Sequence, residues 1–150
     1  ARHKHAAVLR GDEVLIIGGA GTEEYDSQFA ETEIWNARTG AVRPGPRLAD
    51  VRYKIVDAVA VLVNGDVLVA GSSPVPEILP ARGNAFRALA GRLDADLSFT
   101  TVTPLRSGQV LIAGGYDSRI RVSRAAWLIR LLVSARWRIS AGCARASAFR

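Results

Sequence analysis

The chain has 150 residues, of which 49% are hydrophobic and 23% are charged. That length is sufficient for the core of one domain, and the hydrophobic fraction excludes the composition of an intrinsically disordered protein. The single cysteine, Cys143, excludes an internal disulfide and a zinc site built from several cysteines.

The formal net charge of +6 is unevenly distributed along the chain. Residues 118–150 contain eight arginines and no acidic residue, whereas the preceding 117 residues carry 12 basic and 14 acidic groups. A strongly basic protein is ordinarily considered as a partner of nucleic acid or of an anionic membrane. Because the excess positive charge lies in one terminal segment, we expect no specific binding of nucleic acid by the rest of the chain.

One pattern occurs three times: an apolar run, a turn and a second apolar run that ends at glycine. The three copies are residues 5–19, 58–72 and 101–115. Their aligned glycines are 53 and 43 residues apart, at Gly18, Gly71 and Gly114. Repeat lengths of about 40 to 50 residues are typical of propeller blades among the known repeat architectures. The pattern therefore predicts a repeat protein built from β-sheets.

Each repeat begins with a predicted hairpin. In the second repeat, Asn64 and Gly65 predict a two-residue type I′ turn, because both tolerate the positive φ that this turn requires. The second strand of each hairpin is apolar at successive positions, which indicates burial on both faces. The glycines after these strands are predicted to permit close backbone approach and positive φ. They are Gly18, Gly19, Gly71, Gly114 and Gly115.

The second half of each repeat is predicted to supply two further strands. Residues 33–43, which include the structural candidate Trp35, and residues 77–87 each contain a glycine turn between apolar segments. These segments are 44 residues apart, so the connection after the second strand is nine residues longer in the first repeat than in the second. Each repeat is thus predicted to form four antiparallel strands.

The double glycines after the second strand, the aromatic third strand and the glycine turn before a bulky residue resemble kelch-type propellers, including the related propeller of galactose-oxidase-like proteins. The resemblance extends over about residues 6–128 and is to a diverged, bacterial-type kelch repeat. It implies an all-β fold: a kelch-like β-propeller fragment of two full four-stranded blades plus part of a third. The predicted blades are about residues 1–48, 49–91 and 92–130. Because propellers close with typically 4 to 8 blades, we expect further blades upstream.

Residues 131–150 are predicted to be a basic tail rich in Arg, Ala and Ser, because no glycine turn follows Leu128 to start a fourth strand. We interpret the tail as the product of a shifted reading frame or a misjoined gene. A native tail is the alternative, in which residues 127–139 form a basic amphipathic helix at a membrane surface. No transmembrane segment is predicted, because Arg130 and Arg136 interrupt the apolar stretch well short of the ~20 residues that a span needs.

No catalytic, cofactor-binding or metal-binding residue is predicted. The resemblance to galactose-oxidase-like proteins implies a copper site of tyrosines and histidines, but His3 and His5 are the only histidines and match no ligand motif. The glycines of residues 18–21 lack the Gly-Lys-Ser/Thr element that a phosphate-binding loop requires. Enzymatic activity is therefore not expected from the residues of this chain.

The longer loops, after the second and fourth strands, are predicted to gather on one face of the blades. Binding residues concentrate in loops carried by a rigid scaffold. A mixture of Tyr, Arg and acidic residues suits a protein surface or a polar ligand. The predicted contact residues are Glu23, Glu24, Tyr25, Asp26, Arg52, Tyr53, Lys54, Tyr116, Asp117 and Arg119.

The expected function is that of a binding or interaction scaffold, which meets a protein or polar ligand through this loop face. One alternative is a fragment of a galactose-oxidase-like or carbohydrate-active propeller enzyme whose catalytic residues lie in absent blades. Another is a truncated gene product without function. In each case the open faces of the blades would favour self-association.

Overall fold

The computed structural model describes residues 1–22, 27–131 and 137–142. Within these ranges the regular secondary structure consists of twelve β-strands, arranged in three antiparallel sheets of four strands each. The predicted all-β fold is confirmed, and the three sheets are compatible with propeller blades. None of the described residues belongs to a helix that is long and apolar enough to cross a membrane.

In each sheet every strand pairs with the next strand along the chain. Sheet 1 contains β1 (Ala6–Arg10), β2 (Glu13–Ile17), β3 (Thr32–Asn36) and β4 (Val42–Pro44). Sheet 2 contains β5 (Val59–Val61), β6 (Val67–Val69), β7 (Glu77–Leu79) and β8 (Arg87–Ala88). Sheet 3 contains β9 (Thr101–Pro104), β10 (Val110–Ala113), β11 (Ala126–Leu131) and β12 (Trp137–Gly142).

The fourth strand of sheet 3 lies inside the segment that the sequence predicts as a separate tail. β12 pairs with β11 in continuous register, from Leu131 opposite Trp137 to Ala126 opposite Gly142. Sequence reasoning missed this strand because it searched for a glycine turn soon after Leu128, whereas β11 continues to Leu131 before the chain returns. Sheet 3 therefore has four strands, and the origin of residues 131–150 stays a prediction.

The hairpin turn of sheet 2 differs from the predicted type I′ turn. Gly65 has a φ of 83°, but Asn64 is outside the left-handed region. The amide of Leu62 donates to the carbonyl of Asp66 at 2.8 Å, and the amide of Gly65 donates to the carbonyl of Leu62 at 2.8 Å. The loop thus has three residues with glycine in the left-handed position, which is the pattern of a type I turn with a G1 bulge. The prediction was wrong because Val63 also belongs to the loop.

The three sheets stack in chain order, with their first strands as neighbours. β5 contacts both β1 and β9, and the amide of Val102 donates to the carbonyl of Asp57 at 2.9 Å. Sheet 2 lies in the middle, and all three residues of β6 are 0% exposed. The predicted burial of this strand on both faces is confirmed, because sheets 1 and 3 cover its two faces.

Glycine at the end of the second strand lets the linker before the next sheet approach closely. Gly18 and Gly71 have φ values of 60° and 73°. A Cβ at Gly18 would lie 2.4 Å from the carbonyl oxygen of Arg52, and one at Gly71 would lie 3.0 Å from that of Leu97. The equivalent Gly114 has a φ of 73°, but a Cβ there would have no described atom within 4 Å. Only the first two positions therefore exclude a side chain by contact.

Candidate binding surface at the loop edge

The segments before each first strand and after each second strand lie along one edge of the sheets, which we call the loop edge. In sheet 1, the backbones of His3 and Ala20 exchange two hydrogen bonds of 2.9 and 3.0 Å. In sheet 3, Ser98 and Tyr116 make the same exchange at 2.9 and 3.0 Å. These bridges hold the two kinds of loop together, so that residues distant in sequence form one surface.

One position of the loop edge has a left-handed backbone in all three repeats. Lys4, Lys54 and Phe99 have φ values of 53°, 57° and 54°. Each lies two residues after an equivalent linker residue, Arg2, Arg52 or Leu97. The amide of Phe99 donates to the carbonyl of Lys54 at 2.9 Å, and the amide of Ile55 donates to the carbonyl of Lys4 at 3.4 Å. These bonds connect the three linkers directly.

The side chains at this position form a row with two tyrosines. The ammonium nitrogen of Lys4 lies 5.4 Å from the ring centroid of Tyr53, and that of Lys54 lies 4.7 Å from it. Lys54 is also 5.9 Å from the ring of Tyr116, whose centroid is 5.9 Å from that of Phe99. Contacts of a cation with an aromatic face contribute about 0.5–1 kcal/mol each at exposed sites. We call these five residues the cation–aromatic row.

Among the predicted contact residues, the structure brings Tyr53, Lys54 and Tyr116 together in this row. Tyr53 is only 5% exposed, so its prediction as a surface contact was wrong and its ring instead packs beneath the two lysines. Lys54 and Tyr116 are half-buried. Sequence reasoning missed Lys4 and Phe99. Lys4 could have been found, because Arg2-His3-Lys4 repeats the pattern of Arg52-Tyr53-Lys54. Phe99 has no such signal, because the linker before β5 is longer than the one before β9.

Arg52 is not a surface contact, although it was predicted as one. Its side chain is 0% exposed and forms an ion pair with Glu77, with 2.7 Å between Nη2 and Oε1. Its guanidinium also donates to the carbonyls of Gly71 at 2.8 Å and Val75 at 2.6 Å. The second carboxylate oxygen of Glu77 accepts a hydrogen bond of 2.9 Å from the amide of Ala49. Arg52 thus joins its linker to sheet 2, because a buried charge needs such partners.

The same arginine contact occurs at sheet 1, in a more exposed form. Arg2 donates to the carbonyls of Gly18 at 2.8 Å and Glu31 at 3.0 Å, and lies 3.3 Å from the carboxylate of Glu33. Each of these partners corresponds in the repeat to a partner of Arg52. The side chain of Glu33 is 45% exposed, however, whereas that of Glu77 is 2% exposed.

Sheet 3 has an apolar pair at the corresponding positions. Leu97 stands where Arg52 stands in the preceding linker, because each carbonyl faces the glycine that ends a second strand. Trp127 stands where Glu77 stands, because each pairs with the equivalent residue of the second strand, Ile112 or Val69. Leu97 and Trp127 are 2% and 1% exposed and belong to the hydrophobic core.

Asp117 anchors a loop instead of presenting its carboxylate to solvent. The hydrogen bond from the side chain of Arg121 lowers the pKa of the Asp117 carboxyl, and backbone hydrogen bonds from Arg121 and Arg119 act in the same direction. The two Arg121 bonds are 2.8 Å from Nε and 2.9 Å from the amide. Arg119 itself is exposed on this loop. Asp117 therefore positions the loop that carries Arg119.

The remaining predictions concern four further contact residues, the second glycine of each pair and Trp35. Four predicted contact residues lie outside the described residues: Glu23, Glu24, Tyr25 and Asp26. The second glycine of each pair has positive φ, and a Cβ at Gly19 or Gly115 would lie 2.7 Å from a backbone oxygen, of His3 or Ser98 respectively. Trp35 lies on β3 and is 39% exposed.

The described part of the chain has no group of three His, Cys, Asp or Glu side chains placed to hold a metal ion. The ring of His3 contacts the carbonyl of Gly21 through Nε2 at 2.9 Å. The row instead places ammonium groups beside aromatic rings. No model of a known protein family matches the chain, and no curated protein matches it.

Proposed function

We propose that the chain is a binding module of the kelch-like propeller type, which recognises a protein partner through the loop edge. Four-stranded antiparallel sheets, adjacent first strands and glycines under the following linker support this assignment. Repetition of the Arg2 contact at Arg52 supports it further, because unrelated sheets have no reason to share such a contact.

The observation that carries the proposal is the left-handed backbone beneath the cation–aromatic row. Glycine adopts this conformation without penalty, whereas other residues lose about 1–2 kcal/mol each. Lys4, Lys54 and Phe99 nevertheless have large side chains at this position. Residues in such strained conformations cluster at functional sites. A role in binding accounts for side chains that are retained where glycine would be more stable.

The chemistry of the row indicates the kind of partner. Aromatic rings are enriched at protein interfaces, where they supply rigid contact area. The ammonium groups of Lys4 and Lys54 add positive charge beside Tyr53. The row therefore combines aromatic contact area with positive charge, and association with a protein partner should weaken as salt screens that charge.

Capture of partners from a lysate of the source cells tests this function. The immobilised chain should retain a protein that is lost from the variants Lys54→Asn and Phe99→Asn. Asn is chosen because it tolerates positive φ better than most residues, so each variant removes the side chain while keeping the backbone. Val63→Asn is the matched control, because Val63 is 89% exposed in the turn at the opposite edge.

We expect recovery of the partner to fall at least tenfold for either row variant and to stay unchanged for the control. Circular dichroism should show the same β-sheet spectrum for all four proteins. Equal recovery by the wild type and both row variants would exclude the loop edge as the binding surface. Absence of any partner bound by the wild type would exclude the binding function itself.

A further inference from the structure

The turn between β5 and β6 contains asparagine followed by glycine, at Asn64 and Gly65. This dipeptide is chemically labile, because the backbone nitrogen of the second residue can attack the side-chain amide of the first. Glycine has no Cβ to hinder the approach. The residue Asn64 is exposed, so water reaches its amide. The two other asparagines, Asn36 and Asn84, are both followed by alanine, which makes Asn64 the most reactive asparagine of the chain.

The reaction forms a cyclic imide and releases ammonia. The backbone nitrogen of Gly65 loses its proton to a base in solution and bonds to Cγ of Asn64, and the side-chain nitrogen leaves as ammonia. Water then opens the imide. Cleavage between Cγ and the Gly65 nitrogen gives aspartate. Cleavage between that nitrogen and the backbone carbonyl carbon gives isoaspartate, whose main chain passes through the side-chain carbon.

Hydrogen bonds of the folded turn oppose this reaction. The amide of Gly65 donates to the carbonyl of Leu62 at 2.8 Å, so the proton that must be lost is held. Nδ2 of Asn64 donates to Oδ2 of Asp66 at 3.0 Å, and Oδ1 of Asn64 accepts from the amide of Asp66 at 3.2 Å. Both reacting groups are therefore fixed, and the reaction requires a local opening of the turn, which costs free energy in a folded protein.

Asp66 also connects this turn to the turn between β7 and β8. Its Oδ1 accepts a hydrogen bond of 2.8 Å from the amide of Ala81. Conversion of Asn64 to aspartate replaces the donor to Asp66 with a second carboxylate, and like charges at this separation repel. Isoaspartate adds a carbon atom to the main chain of a loop that is closed by the bond from Leu62 to Asp66. Each product therefore disturbs the contacts that hold the hairpin of sheet 2.

The corresponding turn of sheet 3 has the same backbone bonds without the labile side chain. The amide of Leu105 donates to the carbonyl of Gln109 at 2.8 Å, and the amide of Gly108 donates to the carbonyl of Leu105 at 2.9 Å. Ser107 stands at the position of Asn64, and its hydroxyl accepts from the amide of Gln109 at 3.4 Å. Serine has no amide to form an imide, so the geometry of this turn does not require a reactive residue.

We infer that Asn64 is a site of spontaneous conversion to aspartate and isoaspartate, that its bonds with Asp66 keep the conversion slow in the folded protein, and that the products loosen the hairpin of sheet 2. The exposed amide and the following glycine supply the reactivity, and the hydrogen bonds of the turn limit it. The turn lies at the edge opposite the loop edge, so the inference is independent of the proposed partner binding.

Peptide mapping by mass spectrometry, after incubation at mildly alkaline pH, tests the reactivity. In guanidinium chloride, Asn64 should convert at least tenfold faster than Asn84, which is also exposed but precedes Ala85. In the folded protein, Asn64 should convert at least tenfold more slowly than in the denaturant. Equal rates for the two asparagines in the denaturant would exclude Asn64 as a special site. Equal rates for Asn64 in the folded and unfolded protein would exclude control by the turn.

Asp66→Ala tests the role of Asp66, because it removes the side chain that holds the Asn64 amide. Folded Asp66→Ala should convert Asn64 several-fold faster than the wild type, and both should react at the same rate in guanidinium chloride. Gln109→Ala is the matched control at the equivalent position of sheet 3, and it should leave the rate at Asn64 unchanged. An unchanged rate in Asp66→Ala, or an equal increase in both variants, would overturn control by Asp66.

Thermal unfolding followed by circular dichroism tests the effect of the product. Asn64→Asp introduces the aspartate product directly, whereas Asn64→Ser introduces the residue of the equivalent turn. We expect a lower unfolding midpoint for Asn64→Asp than for Asn64→Ser, and a smaller difference at high salt, because salt screens the repulsion from Asp66. Equal midpoints at low salt would show that the aspartate leaves the hairpin intact, and this part of the inference would be wrong.

Discussion

Sheets 2 and 3 have buried side-chain pairs of opposite chemistry at one equivalent position of the repeat. In sheet 2 the position holds the ion pair of Arg52 with Glu77, and in sheet 3 it holds Leu97 and Trp127. All four residues are at most 2% exposed, and both linkers approach the glycine that ends the preceding second strand. The repeat therefore preserves the backbone arrangement while the chemistry of the buried pair changes.

The difference indicates how each buried pair contributes to the stability of the folded protein. Removing two charges from water costs free energy that the ion pair must recover through good geometry and further hydrogen bonds. Arg52 has such bonds to two carbonyls, and Glu77 has one from the amide of Ala49. Leu97 and Trp127 stabilise by burying apolar surface. The polar pair is thus more sensitive to the loss of one partner than the apolar pair is.

The largest expected effect comes from Arg52→Leu, which introduces the residue type found at Leu97. The carboxylate of Glu77 would remain buried without its cation, and such a change typically costs about 3–5 kcal/mol. Urea denaturation followed by tryptophan fluorescence would measure the free energy of unfolding. Arg2→Leu is the matched control, because its carboxylate partner Glu33 is 45% exposed and stays hydrated, so this change should cost less than Arg52→Leu.

A double variant identifies the source of that cost. Arg52→Leu combined with Glu77→Leu removes both charges, and apolar replacements of a buried ion pair are often neutral or stabilising. We expect the double variant to be more stable than Arg52→Leu alone. If the two are equally unstable, the cost arises from the carbonyls that lost their donor and the unpaired carboxylate is not responsible.

The second prediction compares the glycines under the linkers. Gly18→Ala should destabilise the protein by about 2–5 kcal/mol, because the positive φ is unfavourable and the Cβ would collide with the backbone of Arg52. Gly114→Ala should lose only the about 1–2 kcal/mol of the left-handed conformation. Thermal unfolding of both variants provides the comparison. Equal losses would show that linker contact adds nothing at Gly18.

The smallest expected effect concerns the more exposed pair of Asp117 with Arg121. The folded state lowers the pKa of the Asp117 carboxyl, so its contribution to stability is present above the ordinary value of 3.8 and is lost as the pH falls through the folded-state value. Asp117→Asn should therefore be less stable than the wild type at neutral pH, and the difference should shrink below about pH 3.8. Urea titrations at several pH values measure it. A difference that is constant with pH would exclude the carboxylate as its source.

Local sequence signals were sufficient to predict most of the fold. Successive apolar residues in β6 and the recurring glycines indicated strands, turns and the order of four strands in the first two repeats. The signals failed where pairing depended on strand length, as at β12, and where loop length decided the turn, as at Val63 to Gly65. Register and loop length depend on which residues meet across a hairpin, and composition specifies that only weakly.

The candidate site was predicted only in part. Tyr53, Lys54 and Tyr116 were placed on the loop face from their positions in connections, but Arg52 in the same connection is buried. One sequence segment thus contains both a surface row and a buried ion pair. Neighbouring residues in a linker point in different directions, so their exposure depends on the sheets packed around them.

By itself, the sequence determined that this protein is an all-β repeat, because hydrophobic periodicity and glycine turns act within a few residues of chain. Only the tertiary structure decided that Arg52 is buried and that the linkers of Lys4, Lys54 and Phe99 lie side by side. Burial of the Arg52 charge arises from contacts with residues 19 to 25 positions away. Alignment of the linkers arises from backbone bonds between residues 45 and 51 positions apart. Such contacts form only when the sheets stack.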